Sequence, residues 1–296
     1  MTEPELRAFW DAARAELEAV PLSVQIRTPD HQPDWLVTRY EVTLTSLNGV
    51  NLECTYLVPN WPQREPLPAL ITFPGYAGNC QEPALAGEAG YALLILYPRG
   101  QGPSARHFRL PNGLTPLTFG LENPAQYYYR AAYMDCVRGV DFLCSRPEVN
   151  PNRIGAFGTS QGGGLTIALA ALDDRIRAAA AHVPFLCNYP KALEIMQTTP
   201  TYPYQELADY FSTNPQMKAR GLETLQWFDP VNLSAWVRCP TLITIGDKDD
   251  VCPPATIEPV FQNLGCHRAL LRYPTLGHEL SYDFRRHCRL WMDLYL

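Results

Sequence analysis

Residues 153–172 read Arg-Ile-Gly-Ala-Phe-Gly-Thr-Ser-Gln-Gly-Gly-Gly-Leu-Thr-Ile-Ala-Leu-Ala-Ala-Leu, and this stretch decides the fold. Arg153 to Gly158 is short and apolar, as a buried strand is. Leu165 to Ala171 is apolar on every side, as a buried helix is. Between them lies Gly158-Thr159-Ser160-Gln161-Gly162, the G-x-S-x-G pattern of a nucleophile elbow. In that turn a serine is held on a strained bend between strand and helix. Its flanking residues must be small, because the two backbones approach closely there.

Outward from this point the chain repeats the same alternation. Short apolar runs at 69–73, 91–97, 176–183, 241–246 and 270–273 read as strands. Helical patterns lie near 80–89 and 125–145 and at 281–296. Alternating strands and helices imply a mostly parallel sheet with helices on both faces. Before it, residues 35–47 alternate, with Tyr40, Val42 and Leu44 on one side, Asn48-Gly49 marks a turn, and 50–58 returns. This predicts an antiparallel hairpin that precedes the parallel part. Residues 5–20 place Leu6, Phe9, Trp10, Ala13, Leu17 and Val20 at helical spacing. Residues 60–68 form a proline-rich loop. Two longer inserts, near 102–124 and 187–238, stand between strands, where inserts commonly shape a site. With no linker between them, residues 1–296 read as one α/β domain.

Composition narrows the function. The 296 residues carry 24 Lys and Arg against 30 Asp and Glu, a net charge of −6. With a pI near 5.5 and no basic run, nothing favours nucleic acid. At 46% hydrophobic and 18% charged, the chain is not disordered. The acidic start has no apolar core behind it, and no apolar run approaches the roughly twenty residues a spanning helix needs. The nine cysteines are odd in number and lack C-x-x-C spacing, so they read as free thiols rather than as disulfides or a metal site. A soluble, cytoplasmic chain without metal is the expectation.

A serine needs a neighbouring base. When the elbow opens the helix that follows a sheet strand, the partners come in chain order Ser, acid, His. His31 and His107 precede Ser160. His182 has no acid between it and the serine, His267 starts a strand, and His287 lies within the last helix. His278 follows the last strand and opens the final helix, where the base belongs. The acid belongs after the strand 241–246, where Asp247, Asp249 and Asp250 compete and the G-x-x-D spacing selects Asp249. Two N–H donors must hold the oxyanion. One is the amide of Gln161, next after the serine; the other comes from the loop Phe73-Pro-Gly-Tyr-Ala-Gly78. The fold class that accommodates all of this is the α/β-hydrolase fold.

Several segments together resemble carbohydrate esterase family seven, the acetyl xylan esterases and cephalosporin-C deacetylases. They are Arg99-Gly-Gln101, Gly158-Thr-Ser-Gln-Gly-Gly163 and His278-Glu279, with Gly75-Tyr76, Tyr127-Tyr-Tyr-Arg130, Val183-Pro-Phe-Leu-Cys187 and Asp249-Asp-Val-Cys-Pro-Pro254. Their order and spacing agree along essentially the whole chain. The resemblance implies a triad of Ser160, Asp249 and His278, and an oxyanion hole made by the amides of Tyr76 and Gln161. It further implies a small acyl pocket with Pro184 on its wall, and Arg99 and Gln101 bracing nearby loops. No cofactor is implied. The expected substrates are small acetyl esters or acetylated oligosaccharides, and the expected assembly is a homo-oligomer, a hexamer in the family. The 24 residues between Gly102 and Tyr127, a stretch that contributes subunit contacts in the family, look shorter than usual. Two other readings share these motifs: a broader carboxylesterase or lipase-like hydrolase, and a hydrolase-fold binding protein without catalysis.

Overall fold

A computed structural model describes residues 1–30, 36–60, 65–76, 78, 80, 90–279 and 282–296. Among these, nine strands form one sheet: β1 Val24–Arg27, β2 Val37–Thr45, β3 Asn51–Pro59, β4 Leu67–Phe73, β5 Ala92–Leu96, β6 Val149–Thr159, β7 Ile176–His182, β8 Thr241–Gly246 and β9 Arg268–Tyr273. Their spatial order is β1-β2-β3-β5-β4-β6-β7-β8-β9. From β5 to β9 every pairing is parallel. The first three strands pair antiparallel, and β3 meets β5 antiparallel. The helices are α1 Glu3–Glu18, α2 Tyr128–Cys144, α3 Gln161–Leu172, α4 Tyr189–Ile195, α5 Tyr204–Thr213, α6 Lys218–Leu225, α7 Pro230–Leu233, α8 Pro254–Asn263 and α9 Tyr282–Tyr295.

The continuous apolar runs belong to strands covered on both faces. In β5, Ala92, Leu94 and Leu96 point to one core, shared with α1, α2 and α3. Leu93 and Ile95 point to the other, closed by Phe284, Cys288 and Met292 of α9. Helix α1 buries Leu6, Trp10, Ala13 and Leu17, and the Thr2 and Glu5 side chains close a capping box at its start. The β2–β3 turn is built as its sequence demands: Asn48 and Gly49 sit at φ 61° and 72°, the left-handed region those residues tolerate.

Two expectations change. The predicted hairpin is three-stranded, because β1 adds to its outer edge, pairing Val24 with Leu44 and Arg27 with Glu41. All four β1 residues are exposed, so no burial pattern marks them. Strands β6 and β9 begin earlier than their apolar runs: β6 at buried Val149, ahead of exposed Pro151 and Asn152, and β9 at exposed Arg268. The helical pattern near 80–89 falls outside the described residues, except for Cys80. Among the described residues no helix is long and apolar enough to cross a membrane.

Candidate active site

Ser160 sits where β6 hands over to α3, at φ 58° and ψ −122°. A non-glycine residue there costs about 1–3 kcal/mol unless its surroundings impose it. The surroundings do. The Ser160 amide donates to the His182 carbonyl at 2.9 Å, and the Ser160 carbonyl accepts from the amides of Phe185 at 2.9 Å and Gly164 at 3.1 Å. The flanking glycines are sterically required. A Cβ on Gly158 would stand 2.4 Å from the Gly162 backbone, and one on Gly162 would stand 2.5 Å from the Phe73 carbonyl.

The three residues selected from the sequence meet. His278 Nε2 lies 3.0 Å from Ser160 Oγ, and His278 Nδ1 lies 2.9 Å from Asp249 Oδ2. They come from the ends of β6, β8 and β9, which are brought together by the parallel register of the sheet. A carboxylate only accepts, so Nδ1 carries the ring proton and Nε2 is free to accept from the Ser160 hydroxyl. The Asp249 carboxylate is fully buried. Its second oxygen, Oδ1, accepts from the amides of Val251 at 2.9 Å and Cys252 at 2.7 Å. The competing aspartates are elsewhere engaged or exposed: Asp247 pairs with Arg272 at 2.6 Å, and Asp250 is exposed. Of the other histidines, His107 bonds Glu53 at 2.7 Å, far along the sheet, and His267 stacks on Trp291. His287 bonds the Asp283 carbonyl, and His31 lies outside the described residues.

Gln161 follows the serine, and Tyr76 lies in the loop after β4, the neighbour of β6. Gln161 opens α3, where the first amides have no partner within the helix. Its buried side chain interlocks with that of Gln101: each amide nitrogen donates to the other's oxygen, at 2.9 and 3.0 Å. The Tyr129 hydroxyl adds a third bond, to Gln161 Oε1 at 2.9 Å. Gln161 Nε2 also reaches the carbonyls of Pro74 and Gly75 at 3.4 Å, just before Tyr76. Gln101 is thus a brace, as expected. Arg99 braces further back. Its guanidinium grips Asp135 through Nε at 2.9 Å and a terminal nitrogen at 2.7 Å, and donates to the Leu47 carbonyl at 3.1 Å. Both inserts reach Tyr76. Its hydroxyl donates to Glu206 of α5 at 2.6 Å, with Thr115 beside it, and its ring lies against Phe185 and Tyr202.

Pro184 is buried against the first turn of α3, where a Cβ on Gly163 would approach it at 3.1 Å. Three residues were not singled out by sequence. Asp135 reads there as one more helix acid. Cys252 reads as a buried thiol and is one, but it lies beside Ser160, and burial pushes its thiol well above the usual range. His182 has no acid between it and Ser160 in the sequence, yet it stands at the junction of the three loops. Asp249, Cys252 and His278 are a group of potential ligands within 4.8 Å of one another. A cation taken by all three would have to displace the Asp249–His278 hydrogen bond.

The parallel sheet, the strained serine after its central strand and the later acid and histidine define the α/β-hydrolase class. The acetyl xylan esterase (AXE1) profile matches residues 1–293, and the chain belongs to that family. It is similar to the solved acetyl xylan esterase from a Paenibacillus species, with a TM-score of 0.92 and 31% identity, covering 100% of this chain and 96% of that one. Acetyl xylan esterase 1 from a Thermoanaerobacterium species follows at a TM-score of 0.88 and 26% identity, covering 99% and 94%. The acetyl esterase Axe7A of Xylanibacter ruminicola is 26% identical over 300 aligned residues, 96% of this chain; the chain spans 65% of that protein's length.

Proposed function

We propose that the chain is a serine esterase that removes acetyl groups from small acetylated substrates through an acetyl-enzyme intermediate. Acetylated xylo-oligosaccharides and cephalosporin C-type acetates are the substrate class that the family resemblance supports. One observation carries the reading: the unbroken hydrogen-bonded chain from Asp249 through His278 to the Ser160 hydroxyl. Ser160 Oγ attacks the acetyl carbonyl as His278 Nε2 takes its proton. Asp249 holds the tautomer that leaves Nε2 free and stabilises the imidazolium that forms. The amides of Tyr76 and Gln161 receive the oxyanion. The sugar alcohol leaves with the proton from His278, and water, deprotonated by the same ring, releases acetate. Each step is a proton or acyl transfer within the chain's own residues, so the reaction needs no cofactor. Pro184 limits the acyl side to acetate. The reading includes a cytoplasmic homo-oligomer, hexameric by family resemblance; the nine free cysteines suit a reducing compartment.

The test is hydrolysis of p-nitrophenyl acetate, butyrate and octanoate, beside acetate release from acetylated xylose, by wild type and Ser160→Ala. The expected result is a steep fall beyond acetate, release from the sugar ester, and loss of both activities in the variant. Octanoate turned over as fast as acetate would replace the reading with a lipase-like one. Failure of a fluorophosphonate to label Ser160 would leave only a hydrolase-fold binding protein.

A further inference from the structure

We infer that His182 is a positioning residue, a neutral imidazole that ties the loop bearing His278 to the strand behind Ser160 and so sets where the base stands. The inference rests on the triad reading above. His182 ends β7, and its carbonyl accepts from the Ser160 amide at 2.9 Å. Its Nε2 lies 3.1 Å from the carbonyl of Glu279, the residue after His278. A carbonyl only accepts, so Nε2 carries the ring proton. The other nitrogen, Nδ1, is then a bare acceptor and accepts a hydrogen bond from the Thr244 hydroxyl. Thr244 Oγ1 in turn accepts from the Val183 amide at 3.3 Å. Thr244 lies in β8, the strand that leads to Asp249. The ring is clamped flat on Phe284 of α9, 4.5 Å between centroids and 12° between planes.

One residue therefore touches all three catalytic loops: the elbow by its backbone, the acid's strand by Nδ1, and the base's loop by Nε2. Upstream of His278, the loop is already held, because the Lys248 amide donates to the Leu276 carbonyl at 3.0 Å. Downstream, His182 supplies the matching anchor, on the other side of His278. Removing it takes this anchor from a loop whose middle must keep Nε2 within hydrogen-bond reach of Ser160. Displacements of about 1 Å at such a site cost on the order of 10²-fold in rate. The ring must also stay uncharged, since a second cation there would oppose the imidazolium that His278 becomes. Burial ensures this by pushing His182 down to about 4, against the Glu279 carbonyl, which favours the proton.

The decisive variants are His182→Phe, which keeps the ring and its stack and removes both nitrogens, and His182→Gln, which returns a donor near the Nε2 position. Each is assayed on p-nitrophenyl acetate beside Ser160→Ala and a packing control, Met292→Ala, on the same buried face of α9. For His182→Phe we expect kcat to fall on the order of 10²-fold with KM unchanged, and fluorophosphonate labelling of Ser160 to slow in parallel. His182→Gln should recover part of that loss. Met292→Ala should lower Tm while sparing kcat. The inference is overturned by an undiminished kcat in His182→Phe, by equal impairment in the Gln and Phe variants, or by the same kcat loss in Met292→Ala. Should His182→Phe not fold, a ¹H–¹⁵N spectrum of the wild-type histidines decides instead: a proton on Nε2 supports the tether and one on Nδ1 overturns it. Activity that persists in Ser160→Ala would count against the triad reading itself, independently of His182.

Discussion

Asp249 divides its work between its two oxygens: Oδ1 closes its own loop through Val251 and Cys252, and Oδ2 faces His278. Asp249→Asn separates the two. The retained carbonyl oxygen still accepts from the loop amides, so the fold survives. The new NH₂ points at His278 and needs an acceptor there, which drives the ring proton from Nδ1 to Nε2. A base carrying its proton on Nε2 cannot accept from Ser160. Loss of the correct tautomer is worth about 10⁴ in kcat in other serine triads, and a fall of that order, with KM and Tm near wild type, is expected here. A loss of only a few-fold would remove Asp249 from the role. The triad was legible because its cues are local or ordered: a steric motif for Ser160, chain order for His278, a spacing among three aspartates for Asp249. Its supports were not legible from pattern, and only the family resemblance marks Arg99 and Gln101 as braces. Gln101 meets Gln161, and His182 meets Glu279, across 60 and 97 residues of chain. No periodicity marks a contact formed at that separation.

At the level of elements, the buried runs announced themselves and the half-exposed ends did not. β4, β5, β7 and β8 are apolar nearly throughout, and their boundaries are close to the expected ones. β1 is exposed along its length, so nothing in its composition separates it from a loop. What joins elements is also polar and hidden. Arg99, in the loop after β5, and Asp135, in the middle of α2, are both buried, at 2% and 0% exposure. The Ser46 hydroxyl donates to the same carboxylate at 2.6 Å. This pair fixes the loop that carries Gln101. Removing one partner of a buried pair typically costs about 3–5 kcal/mol, because the other charge is left uncompensated. Asp135→Leu should therefore lower the unfolding free energy, read from urea denaturation, by an amount in that range. Arg99→Met combined with Asp135→Leu should regain much of the loss, since no stranded charge remains. If the double variant is as unstable as the single losses added together, charge stranding is not the cause.

Across the whole molecule the parallel ends of the sheet deliver three side chains to one point, and the inserts after β5 and β7 meet at Tyr76, in the loop after β4. The same arrangement places an ionisable ring deep in the fold, and this has a consequence for stability. His182 is 1% exposed, and burial pushes it down to about 4. In the unfolded chain it titrates near its ordinary value of about 6.5. Between those two values the unfolded chain binds a proton that the folded one refuses. More protons bound in the unfolded state means that stability rises with pH through the window and is lost as pH falls from about 6.5 toward about 4. A shift of this size is worth roughly 3 kcal/mol. His182→Phe has no proton to bind in either state, so its stability lacks this part of the acid slope. The variant should be the less stable protein at pH 7, where the wild type holds its two tethers intact. The gap should narrow by roughly 3 kcal/mol by pH 4, as the wild type alone pays to keep its ring neutral. Urea unfolding of both proteins across that range measures it, with the other titrating groups cancelling in the difference. A gap that stays constant with pH would mean that the ring at the end of β7 takes up its proton while still folded.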